Sequence, residues 1–282
     1  MHDDAYLQLL SNKPLFDVEV SSMCNAKCTF CPRTQLNFVN GIMNCDTMRT
    51  ISEWIPSNSS IILSGMGEPL LNPNIEYFIK KLKLRENDVS IITNGSLLNR
   101  KRIERLIESN VDEIQVSFQT TVKEKYQSVM VGLEQNIVMK NIELLQSLGS
   151  KKIKLRLNSV CKMTKKEEGE FVKYAKNNGF TPFIRTMHSR GGLLYTPDVK
   201  KTGCGIFPST TFISWDGGIK RCSNDRLGDD IGNIFEDNFN DILALKEKIL
   251  KDHVPQICRN CDDEYRWIIL ESKNVHEIRP FH

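Results

Sequence analysis

Six short apolar or alternating runs punctuate the first two thirds of the chain: DVEV (17–20), SIILS (60–64), VSIIT (89–93), EIQVSF (113–118), KIKLRL (152–157) and TPFIRT (181–186). Helical patterns lie between them. In NPNIEYFIKKLKL, Ile75, Phe78, Ile79 and Leu82 share one face, with Asn72 placed to cap and Pro73 at the first helical position. RKRIERLIES (100–109) is amphipathic, and EQNIVMKNIELLQSLG sets Val138, Ile142 and Leu145 on one face before Gly149. KKEEGEFVKYAKNNG ends the same way at Gly179, a residue type suited to a helix C-terminus. Strands and helices in this order imply a parallel sheet with right-handed crossovers. The expected class is α/β, a partial (β/α)6 TIM-like barrel, with its chemistry at the C-terminal ends of the strands.

The repeat stops near Arg190, so residues 1–190 read as the barrel. SRGGLLYTPDVKKTG reads as a linker, with 191–203 as its body. Residues 204–265 then form a smaller domain of strand-like pieces, TTFISWDGGIKRC, and one helix, NDILALKEKILKD; 266–282 form a tail. With 38 basic against 35 acidic residues, the charge balance gives no case for nucleic acid or membrane partners. No apolar run approaches the ~18 residues of a membrane span. The opening MHDDAYLQLLSNKP is acidic and lacks the apolar core of a signal peptide. A cytoplasmic protein is expected, and nine cysteines in a reducing compartment ask for metal or redox chemistry.

Cys24, Cys28 and Cys31 stand in CNAKCTFC, just past the first strand. A structural zinc site wants four ligands, and only Cys45 is near enough in sequence to be considered. Three thiolates suit an iron–sulfur cluster with one iron open. The stretch resembles the C-x3-C-x-aromatic-C signature of the radical S-adenosylmethionine (SAM) enzymes, with Phe30 as the aromatic. The resemblance implies a [4Fe-4S] cluster on those cysteines, with SAM chelating the fourth iron. One electron, from a flavodoxin- or ferredoxin-type donor, would cleave SAM to a 5′-deoxyadenosyl radical that abstracts a substrate hydrogen.

Three further matches fall at expected strand ends. SGMGEP (64–69) is similar to the family's turn for the SAM amino group. Gly65 and Gly67 permit close backbone approach, and Glu68 can accept from an ammonium. TNG (93–95), with Asn94, is similar to a SAM-contact turn. On the fourth strand Ile114, Val116 and Phe118 alternate with Gln115, Ser117 and Gln119; on the fifth, Leu155 and Leu157 alternate with Arg156 and Asn158. The polar set is expected to face a lumen that holds ligand. The resemblance carries SAM contacts over to Ser117 and Asn158.

In the later segment, Cys204-x17-Cys222 and Cys258-x2-Cys261 have spacings that by themselves favour zinc. WDGGIKRC, GNIFEDNFNDIL and ICRNC instead resemble the SPASM/twitch extension of radical SAM proteins, and the cysteine count fits the shorter twitch form with a second [4Fe-4S] cluster. Four thiolates close such a cluster, so the implied role is electron acceptance: hydrogen abstraction, proton loss, then electron transfer. Cys45 and Cys161 are expected to be small buried apolar residues.

The layout is similar to the twitch-type 2-deoxy-scyllo-inosamine dehydrogenases, which implies oxidation of a sugar or aminocyclitol hydroxyl. The alternatives are a peptide- or protein-modifying enzyme (a RiPP maturase making a thioether, a carbon–carbon link or an epimer) and a zinc-binding interaction module. Arg185, at the end of the sixth strand, is a candidate to orient or deprotonate a hydroxyl, set against a salt-bridged arginine; His188 reads as a solvent-exposed loop residue.

Overall fold

All six strands form, and each pairs in parallel with the next. The computed structural model describes residues 13–37, 39–149, 151–198, 204, 206–252 and 255–263; the opening stretch, part of the linker and the tail 266–282 lie outside these. The strands are β1 (Leu15–Val18), β2 (Ser60–Leu63), β3 (Asp88–Thr93), β4 (Glu113–Ser117), β5 (Lys154–Ser159) and β6 (Thr181–Ile184). Their register lines up one apolar rung: Val18 opposite Leu63, Leu63 opposite Ile91, Ile91 opposite Ile114, and Ile114 opposite Leu155. All five are buried in the core. A one-residue slip of any strand would turn its rung residue to the other face, so hydrophobicity fixes the register.

The core lies between this sheet and α1 (Cys45–Trp54), α2 (Ile75–Lys83), α3 (Arg100–Glu108), α4 (Lys123–Val129), α5 (Gln135–Gly149) and α6 (Lys165–Asn177). Asn44 caps α1 and Asn99 caps α3, each by accepting from a backbone N–H three residues on; Thr164 and Glu167 form a capping box on α6. Val138, Ile142 and Leu145 are buried as the α5 pattern requires. Gly179, beyond α6, has φ +72°, the left-handed turn that glycine permits.

Two local expectations change. The second helix starts at Ile75, with Asn74 before it, so Asn72 is not its cap. Asn72 is fully buried; its amide donates to Val20 O (2.8 Å) and Met43 O (3.0 Å) and ties the exit of β1 to the entry of α1. Gly149 closes the last turn of α5 from inside the helix.

The segment after the linker is joined to the barrel sheet. β7 (Thr210–Ile213) lies parallel to β1 on the edge opposite β2, with Val18 facing Ile213. β8 (Gly218–Lys220) and β9 (Gly232–Asn233) continue antiparallel, giving the order β6-β5-β4-β3-β2-β1-β7-β8-β9. α7 (Phe239–Asp252) then packs Phe239 against Phe16 at 5.4 Å and Trp54 at 5.5 Å between ring centres. The Trp54 indole N–H donates to Asp237 O at 2.7 Å. No helix among the described residues is long and apolar enough to cross a membrane.

Candidate active site

The C-terminal strand ends surround a cavity of about 280 Å³. Cys24, Cys28, Phe30 and Cys31 form one wall. Their loop is held by backbone bonds to the end of α4, Lys27 N–H to Val131 O (2.8 Å) and Thr29 N–H to Val129 O (3.0 Å). Cys28 Sγ sits 3.5 Å from Met130 Sδ. Burial, then the neighbouring Cys31 and Cys24, push the Cys28 thiol up to about 12; burial raises Cys24 too. Cys24 and Cys28 ionise poorly as free thiols, yet three soft donors crowded on one wall are good ligands for a cationic cluster, which deprotonates a coordinating thiol outright. The donor set fits a cluster with three protein ligands.

Opposite the cysteine loop lie Gly65, Gly67 and Glu68. The two glycines make room for neighbouring protein atoms as well. A Cβ on Gly67 would sit 2.0 Å from Ser21 O, and one on Gly65, at φ +116°, would sit 2.6 Å from the Glu19 side chain. They let the SGMGEP turn press against the exit of β1. Glu68 has protein partners too. Its Oε1 accepts from Thr93 Oγ1 (2.6 Å) and Leu70 N–H (3.1 Å), and its Oε2 from Asn94 N–H (2.7 Å). Glu68, the expected ammonium acceptor, lines the cavity and also braces the β2 and β3 turns.

Asn94 relays that brace. Its amide donates to Asn25 Oδ1 (2.9 Å), inside the cysteine loop, while its Oδ1 accepts from Ser96 N–H (2.9 Å). Glu68→Ala would orphan two buried backbone N–H groups, each costing about 1–3 kcal/mol. We expect a lower midpoint in thermal unfolding and weaker SAM binding by the surviving protein. An unchanged midpoint would remove the bracing role.

Gln115, Ser117, Gln119 and Asn158 line the cavity, and Ile114, Val116, Phe118, Leu155 and Leu157 are buried in the core, so the strand alternation sorts as expected. Asn158 donates to Gln115 Oε1 at 2.9 Å, and its own Oδ1 is buried without a hydrogen-bond partner. That acceptor, at the end of β5, suits a hydroxyl or ammonium of a ligand. Arg156, on the same strand, turns away to pair with Glu113 at 2.8 Å.

Arg185 lines the cavity and is bound to both oxygens of Asp263 at 2.8 Å. His188 is buried, not exposed: Asp263 draws it in, with Nε2 3.6 Å from the carboxylate. Ser189 also binds Asp262, by its N–H (2.8 Å) and hydroxyl (2.6 Å). These contacts pin the segment carrying Cys258 and Cys261 to the barrel rim. Cys45, which opens α1, is exposed, and Cys161, in the turn before α6, is half-buried, both against expectation.

Cys204, Cys222, Cys258 and Cys261 line a second, smaller cavity. The sequence separates them by as many as 57 positions, and the fold brings all four together. Gly191, at φ +74°, makes the wall possible, since a Cβ there would meet Ile257 at 2.5 Å. Asn224, 2% exposed, stands on this wall with both amide atoms lacking a hydrogen-bond partner. Four soft thiols suit a cubane cluster or a zinc ion in an all-cysteine site. The orphaned amide can donate to a sulfur acceptor of either group. Cys222 and Asn224 line both cavities and form the partition between them.

Sequence reasoning missed Asn224, and also Glu19 and Arg226. Glu19 is fully buried, accepts from Met66 N–H at 2.8 Å and is ion-paired with Arg226, whose guanidinium lies 4.8 Å from the Phe212 ring centre. This pair ties the SGMGEP turn to the loop after Cys222. A glutamate at the polar position of a strand and an arginine in a loop carry no local signal of a buried partner 207 residues away.

A partial barrel with three thiols past its first strand, facing a polar lumen, has the donor set for an open-site cluster with a small ligand at its strand ends. The chain belongs to the radical SAM superfamily, whose family model matches residues 18–175. That family implies SAM and a [4Fe-4S] cluster. Among curated proteins it is similar to the GTP 3′,8-cyclase of Rhizobium etli, 30% identical over 151 residues, which is 51% of this chain and 42% of that protein. The GTP 3′,8-cyclase of Lactiplantibacillus plantarum is 27% identical over 57% of this chain and 50% of that one. The chain thus spans about half the length of the curated relatives it matches. Among solved structures it shares its fold with BtrN in complex with AdoMet and 2-DOIA, at 22% identity, 89% of this chain, 93% of that chain and TM-score 0.59. It also shares its fold with Streptococcus suis SuiB bound to precursor peptide SuiA, at 17% identity, 89% and 71% coverage and TM-score 0.67.

Proposed function

We propose that this radical SAM enzyme removes two electrons from a small polar substrate, oxidising a hydroxyl of a sugar or aminocyclitol, with residues 204–265 acting as a twitch domain. The observation that carries the reading is the shared partition: Cys222 and Asn224 face both the strand-end cavity and the four-cysteine cavity. An acceptor held by Cys204, Cys222, Cys258 and Cys261 would border the space where substrate reacts. When bound, SAM with a cluster on Cys24, Cys28 and Cys31 supplies a 5′-deoxyadenosyl radical, and a second cluster supplies an acceptor for one electron.

The chain's own residues do the rest. Asn158 and Ser117 present polar groups toward SAM, and Phe30 with the core side chains keeps that wall dry. Arg185, held at the cavity wall by Asp263, stays charged and orients a hydroxyl rather than deprotonating it. The substrate carbon loses a hydrogen atom, its hydroxyl a proton, and one further electron leaves; the product is a ketone about two mass units lighter, the mass of the two hydrogens removed.

The names of the curated relatives and the peptide-bound SuiB support a second reading, in which the substrate is a nucleotide or a peptide. Substrate mass change separates redox-neutral rearrangement from oxidation. Metal analysis after anaerobic purification and reconstitution tests the acceptor directly. We expect about eight irons and eight sulfides per chain, two cubanes' worth. About four irons with one zinc would leave a radical enzyme whose C-terminal cysteines are structural.

A further inference from the structure

The buried face of α7 carries an ammonium where its periodicity calls for an apolar residue. Ile242 and Lys246 are one turn apart; Ile242 is in the core, and Lys246 is 3% exposed. The Lys246 ammonium donates to Thr210 O (2.7 Å) and Thr211 Oγ1 (3.3 Å). It also lies 5.5 Å from the centre of the Phe207 ring, which lines the four-cysteine cavity. Both hydrogen-bond acceptors are neutral, and among the described residues no carboxylate pairs with this cation.

A buried charge without a counter-charge costs several kcal/mol. Burial accordingly pushes the Lys246 ammonium down to about 8, and the groups that pull it back are Cys222 and then Cys204. The geometry agrees: the ammonium lies beside Phe207, a wall of the cavity that the four cysteines line. A surface lysine would serve α7 equally well for solubility. An apolar side chain would serve packing better. An anionic group in the cavity gives a buried ammonium its reason to be here.

We propose that Lys246 is a positioning residue for the second cluster, compensating the charge of its thiolates and raising its reduction potential so that it accepts the substrate's electron. The proposal rests on the acceptor reading above. The sign follows from electrostatics: reduction makes the cluster more negative, and a nearby cation stabilises the more negative form.

The test is an EPR-monitored redox titration of the anaerobic holoenzyme, following the cluster signal that added SAM leaves unperturbed. Lys246→Met should lower that midpoint by at least a tenfold shift in the redox equilibrium, about 59 mV for one electron. Lys246→Arg should hold it near the wild-type value. A Met variant with its full iron content and an unmoved midpoint overturns the proposal. If neutral variants (Met and Gln) lose the second cluster while Arg keeps it, the charge is needed for assembly and the proposal stands. Loss in all three variants would assign Lys246 to packing and overturn it. Failure of the underlying reading shows separately, as about four irons in the wild-type protein before any titration.

Discussion

Cys28→Ala abolishes SAM cleavage: that is the largest effect expected of any single substitution in this chain. Cys28 is the middle cysteine of the loop, set against Met130 and raised by burial and then by both other thiols. Without it, two thiolates remain, and two cannot hold a cubane with one open iron. The rate of 5′-deoxyadenosine formation should fall by at least about three decades, equivalent to about 4 kcal/mol of barrier. Iron content should drop by about four per chain. The fold itself should survive, because the loop is anchored by backbone bonds from Lys27 and Thr29 rather than by the Cys28 side chain. A folded Cys28→Ala protein that still cleaves SAM would remove the catalytic cluster from this loop. Cys24→Ala and Cys31→Ala should behave alike.

The contrast between legible and hidden features is itself physical. The parallel order and the two faces of the strands were readable because each strand carries its own alternation: Ile114, Val116 and Phe118 are buried in the core whatever the neighbours do. That Cys24, Cys28 and Cys31 share one wall was readable because they lie within eight residues of one another. The protein partners of Gly65, Gly67 and Glu68 were hidden. The types of these three residues suit ligand contact, but those partners, Ser21, Glu19, Thr93 and Asn94, come from two other strand ends. The place of β7 was equally hidden. Four residues late in the chain complete the free edge of β1 near its start, and a pattern of four cannot announce its partner. His188 shows the rule from another side: a loop histidine is exposed by default, and only Asp263, 75 residues later, makes it buried.

The second large effect separates chemistry from electron disposal. Cys222→Ala should keep SAM cleavage within a few-fold of wild type and lose oxidised product by at least about two decades, some 2.7 kcal/mol. The asymmetry follows from position. Cys222 lies just past β8, two strands removed from β1 and its cysteine loop in sheet order, with β7 between them. Its loss leaves Cys24, Cys28 and Cys31 and their anchors untouched. It opens the partition, however, and leaves three thiolates around the second cavity. A substrate radical formed there would have no acceptor and would be quenched by one electron from the external reductant and a proton from solvent, so SAM would be consumed without net oxidation. Deuterium placed on the reacting carbon should then appear in 5′-deoxyadenosine without matching ketone. Equal yields of ketone from wild type and variant would sink the acceptor role. A parallel loss of SAM cleavage would instead mean that Cys222 acts through the fold, by way of Glu19 and Arg226, which join its loop to the SGMGEP turn. Arg226→Met discriminates the two: it breaks that tie, spares the four cysteines, and should weaken SAM binding while leaving the iron content of the second site unchanged.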